Sequence, residues 1–185
     1  MEDKKFEHID FTETALEDSD FENCIFDNCN FSNLDLSAIH FTGCEFINCN
    51  LSLTKLTKTV LSELIFKDCK LLGMHFYDCS PFLFSMRFEN CQLDLSSFYK
   101  LKFKKADFKN CSLKEVDFTE TDLSAAVFDN CDMTKAVFDN TLLEKADFRS
   151  SYNYSIDPEK NLIKKAKFSM PGIAGLLDQY DIEID

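Results

Sequence analysis
The sequence predicts an all-β solenoid of square cross-section, on three observations. Large apolar residues recur every fifth position, from Phe6 through Phe11, Leu16, Phe21 and Phe26 to Phe76. After a slip of two residues the same beat runs from Leu83 to Phe148. The second residue before each large one is usually small or apolar, as at Cys24, Cys29, Cys44, Cys49, Ala106 and Val116. Sampled every twentieth residue, with the slip allowed for, the chain reads Phe6, Phe26, Phe46, Phe66, Phe88, Phe108, Phe128 and Phe148. A period of five suits neither an amphipathic helix nor an alternating strand. Two inward and three outward positions per repeat close the backbone into a coil with one repeat per side. A twenty-residue turn then stacks like on like, about 4.8 Å apart.

The elements follow in order. Residues 1–5 are a lead-in. Met1-Glu2-Asp3-Lys4-Lys5 has no signal-peptide core, and the chain has no apolar run near eighteen residues, which together predict a cytoplasmic protein without a membrane span. Residues 6–150 form the repeat region, of about seven coils. Its aromatic column and the amide or acid column Asn28, Asn48, Asp68, Asn90, Asn110 and Asn130 are expected to stabilise stacked turns. The slip, placed at residues 77–82 and containing Pro81, predicts a bulge at one corner. Tyr77 and Tyr99 are expected to stack on an outer face there, with Phe82 and Phe84 flanking inward Leu83. Such an aromatic corner is a candidate contact patch; alternatively the loop folds back and buries Phe82.

Residues 151–185 make an irregular last turn and a cap. Pro171 opens an expected short α-helix whose apolar side is Ile173, Leu176, Leu177 and Tyr180. Ile182 and Ile184 alternate with acids as in a final strand. A small apolar cap over the open end is also a natural two-fold contact, so a homodimer through this segment is expected.

Nine cysteines and three histidines (His8, His40 and His75) raise disulfide, metal and redox readings. An odd count argues against a disulfide framework, and a column of parallel thiols does not converge on a metal. The cysteines read as small inward hydrophobes. No glycine-rich phosphate loop, nucleophile elbow or metal-binding helix motif is present. The chain is therefore expected to be non-enzymatic, with no cofactor, metal or small-molecule substrate.

The net charge is −13 and uneven: −10 over residues 1–51, +4 over 52–115, −5 over 116–150 and −2 over 151–185. An acidic rod binds nucleic acid poorly and suits a basic protein groove. Two acidic zones are the candidate partner surface. One is Glu17, Asp18, Asp20, Glu22, Asp27 and Asp35; the other is Asp117, Asp122, Asp129, Asp132 and Asp139. The bland alternative is that these charges only keep the rod soluble and its edges unpaired.

Runs such as Ala106-Asp107-Phe108-Lys109-Asn110 and Ala146-Asp147-Phe148-Arg149-Ser150 resemble the pentapeptide-repeat family. That resemblance implies a right-handed quadrilateral β-helix. The tail, with Ile156-Asp157-Pro158-Glu159, Asn161, Ile163, Pro171 and Ala174-Gly175-Leu176, is similar to the microcin B17 immunity, Qnr and MfpA-type members. This similarity implies a mimic of duplex DNA that binds DNA gyrase or topoisomerase IV and shields it from quinolones or a toxin. Two features depart from that group: there is only a six-residue corner in place of long loops, and a basic stretch from Lys55 to Lys114 interrupts the acid. The other reading is a general cytoplasmic interaction scaffold whose partner engages the aromatic corner. A third is a soft-metal or redox role for the cysteine column.

Overall fold
The computed structural model of the chain describes residues 1–82 and 84–183. Leu83 and Ile184 therefore lie outside the described residues. The described residues form ten short strands: β1 (Lys5–Glu7), β2 (Asp20–Glu22), β3 (Ile25–Asp27), β4 (His40–Thr42), β5 (Glu45–Ile47), β6 (Val60–Ser62), β7 (Leu64–Lys67), β8 (Met86–Glu89), β9 (Asp107–Lys109) and β10 (Val127–Asp129). All pairings are parallel. One seven-stranded sheet runs β1-β3-β5-β7-β8-β9-β10, and a three-stranded sheet runs β2-β4-β6.

Register confirms the twenty-residue winding. Phe6 lies opposite Phe26, Phe26 opposite Phe46 and Phe46 opposite Phe66; Phe66 then lies opposite Phe88, absorbing the slip. Seven strands enclose about six turns, so regular strand pairing covers less than the expected seven coils. Beyond β10 the winding continues through single bridges, Val127 to Asp147 and Asp147 to Lys167. The faces are numbered here by their first large residue: Phe6, Phe11, Leu16 and Phe21 start faces one to four.

The core is the two inward positions of every repeat. On face one the rings from Phe6 to Phe168 stack in one column with centroids 4.8–5.4 Å apart. Face three stacks Phe76, Phe98, Phe118 and Phe138. Neighbouring faces meet edge to face, as at Phe103 and Phe108, and so do opposite faces, as at Phe98 and Phe108. Both geometries are favourable for aromatic rings. Because every turn repeats the same fill, the interior is a column of rings.

The small inward residues do more than fill space. Most of the cysteines donate onto the backbone carbonyl of a large residue one turn below. Cys49 Sγ lies 3.2 Å from Phe26 O, Cys69 Sγ 3.3 Å from Phe46 O and Cys91 Sγ 3.4 Å from Phe66 O. Hydroxyls replace thiols in the same role: Thr59 on Leu36, Thr121 on Phe98 and Ser151 on Phe128. Cysteine recurs there because it is small, apolar and still a weak donor.

The corners share one backbone device. The residue two after most large positions has φ between +51° and +65°, from Asn23 and Asn28 through Asn90 and Asn110 to Lys165. Asn tolerates this left-handed region better than most residues. The amide column serves a second purpose: Asn90 Nδ2 donates to Asp68, Asn110 to Asn90 and Asn130 to Asn110, at 2.9–3.1 Å.

The slip follows Ser80. Ser80 N still bonds Thr59 O in the regular register, whereas Leu64 N already reaches Ser85 O in the shifted one. The two extra residues thus lie between Ser80 and Ser85. Strand pairing on face four stops at β6 and resumes with the Lys102 to Asp122 bridge.

The C-terminal segment is not an α-helix. It forms two 3₁₀ helices, Pro171–Leu176 and Asp178–Tyr180. Two glycines within ten residues weaken an α-helix. They are needed because the segment presses on Tyr154: a Cβ on Gly175 would collide with the Tyr154 backbone carbonyl. Ile156 N then donates to Gly175 O at 2.8 Å, tying the segment to the last turn. Leu176 and Leu177 are half-buried, while Ile173 and Tyr180 stay exposed. Residues 181–183 have no strand, so Ile182 is an exposed coil residue and not part of a final strand.

Candidate functional site
The outward positions carry whatever this rod does, so each candidate is placed by face. The N-terminal acids do not share one face. Glu17 and Asp35 lie on face three, Asp18 at its far corner, Asp20 and Glu22 on face four and Asp27 on face one. They form a collar round the first turns. The second zone is also a collar: Asp117 and Asp139 on face three, Asp122 on face four, Asp129 on face one and Asp132 on face two.

Many of these carboxylates hold the fold as well as facing water. Asp35, Asp117, Asp122 and Asp132 each accept the backbone N–H two residues on, at 2.9–3.1 Å. This is the local turn that Asp and Asn side chains make. Asp18 accepts the Ser19 and Asp20 amides and pairs with the Met1 amine at 2.9 Å. That amine and the two amides hold its carboxyl below the usual range. Asp20 pairs with His40 Nδ1 at 2.7 Å, Asp27 with Lys5 at 3.6 Å, and Asp129 accepts the Ser150 hydroxyl at 2.8 Å. Glu17, Glu22 and Asp139 have no side-chain partner among the described residues. They are the candidates whose charge is wholly available to a partner.

The basic middle is partly neutralised across turns. Lys67 reaches Glu45, Lys109 reaches Glu89, Lys100 reaches Glu120, Lys104 reaches Asp122 and Lys114 reaches Asp132, at 2.9–3.5 Å. With Lys55 on Asp35 at 2.9 Å, six lysines of the +4 stretch thus meet carboxylates of adjacent turns.

The aromatic corner is only partly assembled. Tyr77 is exposed and its hydroxyl lies 3.2 Å from His75 Nδ1. Tyr77 and Tyr99 meet edge to face at 6.3 Å and do not stack. Tyr99 is half-buried beneath the Lys100 ammonium, 4.8 Å from its ring centroid. Phe82 is 71% exposed, so the loop does not bury it. Phe84 instead turns inward and meets Phe103 edge to face at 5.0 Å. The corner therefore offers Tyr77 and Phe82, with Tyr99 behind them and Phe84 half-buried against the core.

Enzyme-like chemistry finds little to work with. All nine cysteines are buried and free. Burial pushes the Cys44 thiol up to about 11 and the Cys79 thiol up to about 12, away from the reactive thiolate. No group of three or more His, Cys, Asp or Glu among the described residues could hold a metal ion. A surface groove of about 420 Å³ opens where face four is interrupted, lined by Glu63, Leu64, Met86, Arg87, Phe103 and Lys105. It sets two cations against one carboxylate without gathering an acid, a base and a nucleophile. Among the described residues, no helix is long and apolar enough to cross a membrane.

One surface went unnoticed in the sequence. Leu53 and Leu95 stand exposed at left-handed corners between faces two and three. The signal was available: both occupy the corner position, which elsewhere is mostly Asn, Lys or Glu.

The family description "Pentapeptide repeat region" matches residues 19–98 and 39–118, and "Pentapeptide repeats (8 copies)" matches residues 111–149. Among solved structures, a trypsin-treated QnrB1, a plasmid-mediated fluoroquinolone resistance protein, aligns at a TM-score of 0.51 and 19% identity, over 100% of this chain and 98% of that one. Full-length QnrB1 aligns at 0.49 and 19% identity, over 98% and 99%. HetL, a pentapeptide repeat protein involved in heterocyst differentiation regulation in the cyanobacterium Nostoc, aligns at 0.39 and 16% identity, over 90% and 86%. No curated protein sequence matches the chain.

Proposed function
We propose that this chain, which belongs to the pentapeptide-repeat family, is a non-enzymatic acidic rod whose surface engages a basic protein groove. The partner in this reading is a type II topoisomerase, DNA gyrase or topoisomerase IV, met in the cytoplasm and shielded there from quinolones or a gyrase toxin. The observation that carries it is the pair of carboxylate collars on a rod of net charge −13. Such a surface competes with duplex DNA for cationic grooves, and its attraction weakens with salt. The fold shared with a fluoroquinolone resistance protein supports the same reading.

Two copies meet through the C-terminal segment in this account. Met170 is 81% exposed there, and Ile173, Tyr180 and Ile182 are exposed beside it. A dimer through that end leaves the more acidic first collar at the distal tips.

Purified gyrase assayed for supercoiling, with and without a fluoroquinolone, tests the proposal. The intact protein is expected to inhibit the enzyme or to protect it from the drug in a dose-dependent way. Unchanged supercoiling and unchanged drug sensitivity at every concentration would remove the topoisomerase reading.

A second reading rests on the exposed Tyr77 and Phe82: a scaffold that binds another protein at the corner. The same assay separates the two. A gyrase effect lost on Tyr77→Ser with Phe82→Ser, and kept on acid reversal, assigns the contact to the corner.

A further inference from the structure
The corner between faces two and three is built unlike the others. Corner residues adopt positive φ, a conformation that costs a side chain bearing a Cβ about 1–2 kcal/mol. Asn and Gly relieve that cost, and Lys or Glu at least place a charge in water. Leu53 (φ 58°) and Leu95 (φ 65°) do neither. They are the large apolar side chains at left-handed positions among the described residues, and both fall in one column, separated by Gly73. Leu53 is 62% exposed and Leu95 is 61% exposed, so neither is compensated by the core.

Gly73 shows how the column is arranged. A Cβ at Gly73 would come within 2.8 Å of Leu53 Cδ2. Leu53 therefore leans along the rod over the next turn, and the glycine makes room for it. Half-buried Leu72 lies beside Gly73. Three successive turns thus present leucine at one edge of face three, whose outward residues include His75, Tyr77 and Tyr99.

The charge around this ridge is opposite to that of the chain. Lys55 lies on face three, Lys58 and Lys100 at its far corner, and Lys70 and Lys114 on face two. Lys58 and Lys70 have no carboxylate within 4 Å among the described residues, unlike Lys55, Lys100 and Lys114. Glu115, which follows Leu95 in the same corner column, and Asp94 are the nearby acids, with Asp78 at the far corner of face three; Asp94 is engaged by the Ser112 hydroxyl and the Lys114 amide. The ridge sits in the stretch of net charge +4 within a chain of −13.

We propose that this ridge is a docking site for an acidic peptide segment of another protein. Large apolar side chains of the segment seat against Leu53, Leu72 and Leu95, and its carboxylates meet the lysines on either side. Apolar anchors ringed by complementary charge are the usual construction of such contacts. The site is independent of the topoisomerase reading, which uses the acidic collars.

A selection from phage-displayed random peptides on the immobilised intact protein tests it. Enriched sequences should place Leu, Ile or Phe next to Asp or Glu. Their fluorescence anisotropy should show binding that weakens with salt and falls by about tenfold or more on Leu53→Asn with Leu95→Asn. Asn is favoured at these corners, so the variant should keep or raise its melting temperature. No enrichment, enrichment of basic or uncharged peptides, or binding indifferent to the two substitutions would overturn the proposal. So would a clear fall in melting temperature, which would make the leucines structural. Concentration-dependent self-association, or capture of anionic lipid vesicles, abolished by the same variant would also overturn it in favour of another occupant.

Discussion

The first turns and the middle turns are wound on one core but wear opposite charge. Phe26 stacks on Phe46 at 4.8 Å and Phe88 on Phe108 at 5.1 Å, and both regions turn their corners through residues of left-handed φ. Yet residues 1–51 carry −10 and residues 52–115 carry +4. The difference teaches that inward and outward positions are specified separately. Two positions in each five set the winding, and three are left for the surface. The regions also satisfy their acids differently. Near the N-terminus, Asp18 relies on the Met1 amine and on backbone amides, and Asp10 on Thr12 and Asn30. In the middle, Lys109 reaches across a turn to Glu89, and other lysines of that stretch reach Glu45 and Glu120 beyond its two ends.

Core substitutions break what the two regions share. Phe108 is fully buried between Phe88 and Phe128, at 5.1 Å from each. Phe108→Ala is expected to cost about 3–5 kcal/mol in denaturant unfolding. Phe6→Ala should cost clearly less, because Phe6 ends the stack and is half-buried. Equal costs would contradict the continuous column.

Corner substitutions come next. Asn110→Ala should cost about 1–2 kcal/mol, because it places a Cβ residue without a local amide at positive φ. It also breaks the amide ladder between Asn90 and Asn130. The same change at Asn33, which is outside that ladder, should cost less. Cys111→Ala, which removes the thiol donated to Phe88 O at 3.6 Å, should cost about 1 kcal/mol, with Cys111→Ser closer to wild type. A serine variant less stable than the alanine variant would show that volume alone matters at the small inward position.

The smallest effect is a pH dependence. Arg149 bonds Asp147 through two nitrogens, at 2.8 and 2.9 Å, and holds its carboxyl at about 2. The folded value lies below the ordinary carboxylate value of about 3.9, so the stabilisation is present above about pH 4. It is lost as pH falls toward 2. Asp147→Asn should flatten that part of a melting-temperature profile; an unchanged profile would deny the pair a role.

The winding was legible because composition and spacing encode it directly: only a twenty-residue turn aligns Phe66 with Phe88 across the slip. What the sequence hid was tertiary. Pro171 and the apolar spacing of Ile173, Leu176 and Leu177 fit an α-helix as well as a 3₁₀ helix. The choice depends on the contact of Gly175 with Tyr154, which no local signal announces. Asp35, Asp117, Asp122 and Asp132 read as surface charge because a bond to the amide two residues on leaves no mark in the spacing. The thiol-to-carbonyl contacts become visible only when the turn below is in place. The leucine ridge needed the corner conformation, after which Leu53 and Leu95 stand out against Asn and Lys.

The separation of core from surface is tested most directly by charge reversal in the first collar. Glu17, Asp20, Glu22 and Asp27 changed together to Lys would be compared with wild type for melting temperature and for inhibition of purified gyrase. The account predicts a melting transition that stays cooperative and close to wild type, with the gyrase effect reduced by about tenfold or more. Full retention of the gyrase effect by a folded variant would contradict it, as would collapse of the fold on changing only residues that face water.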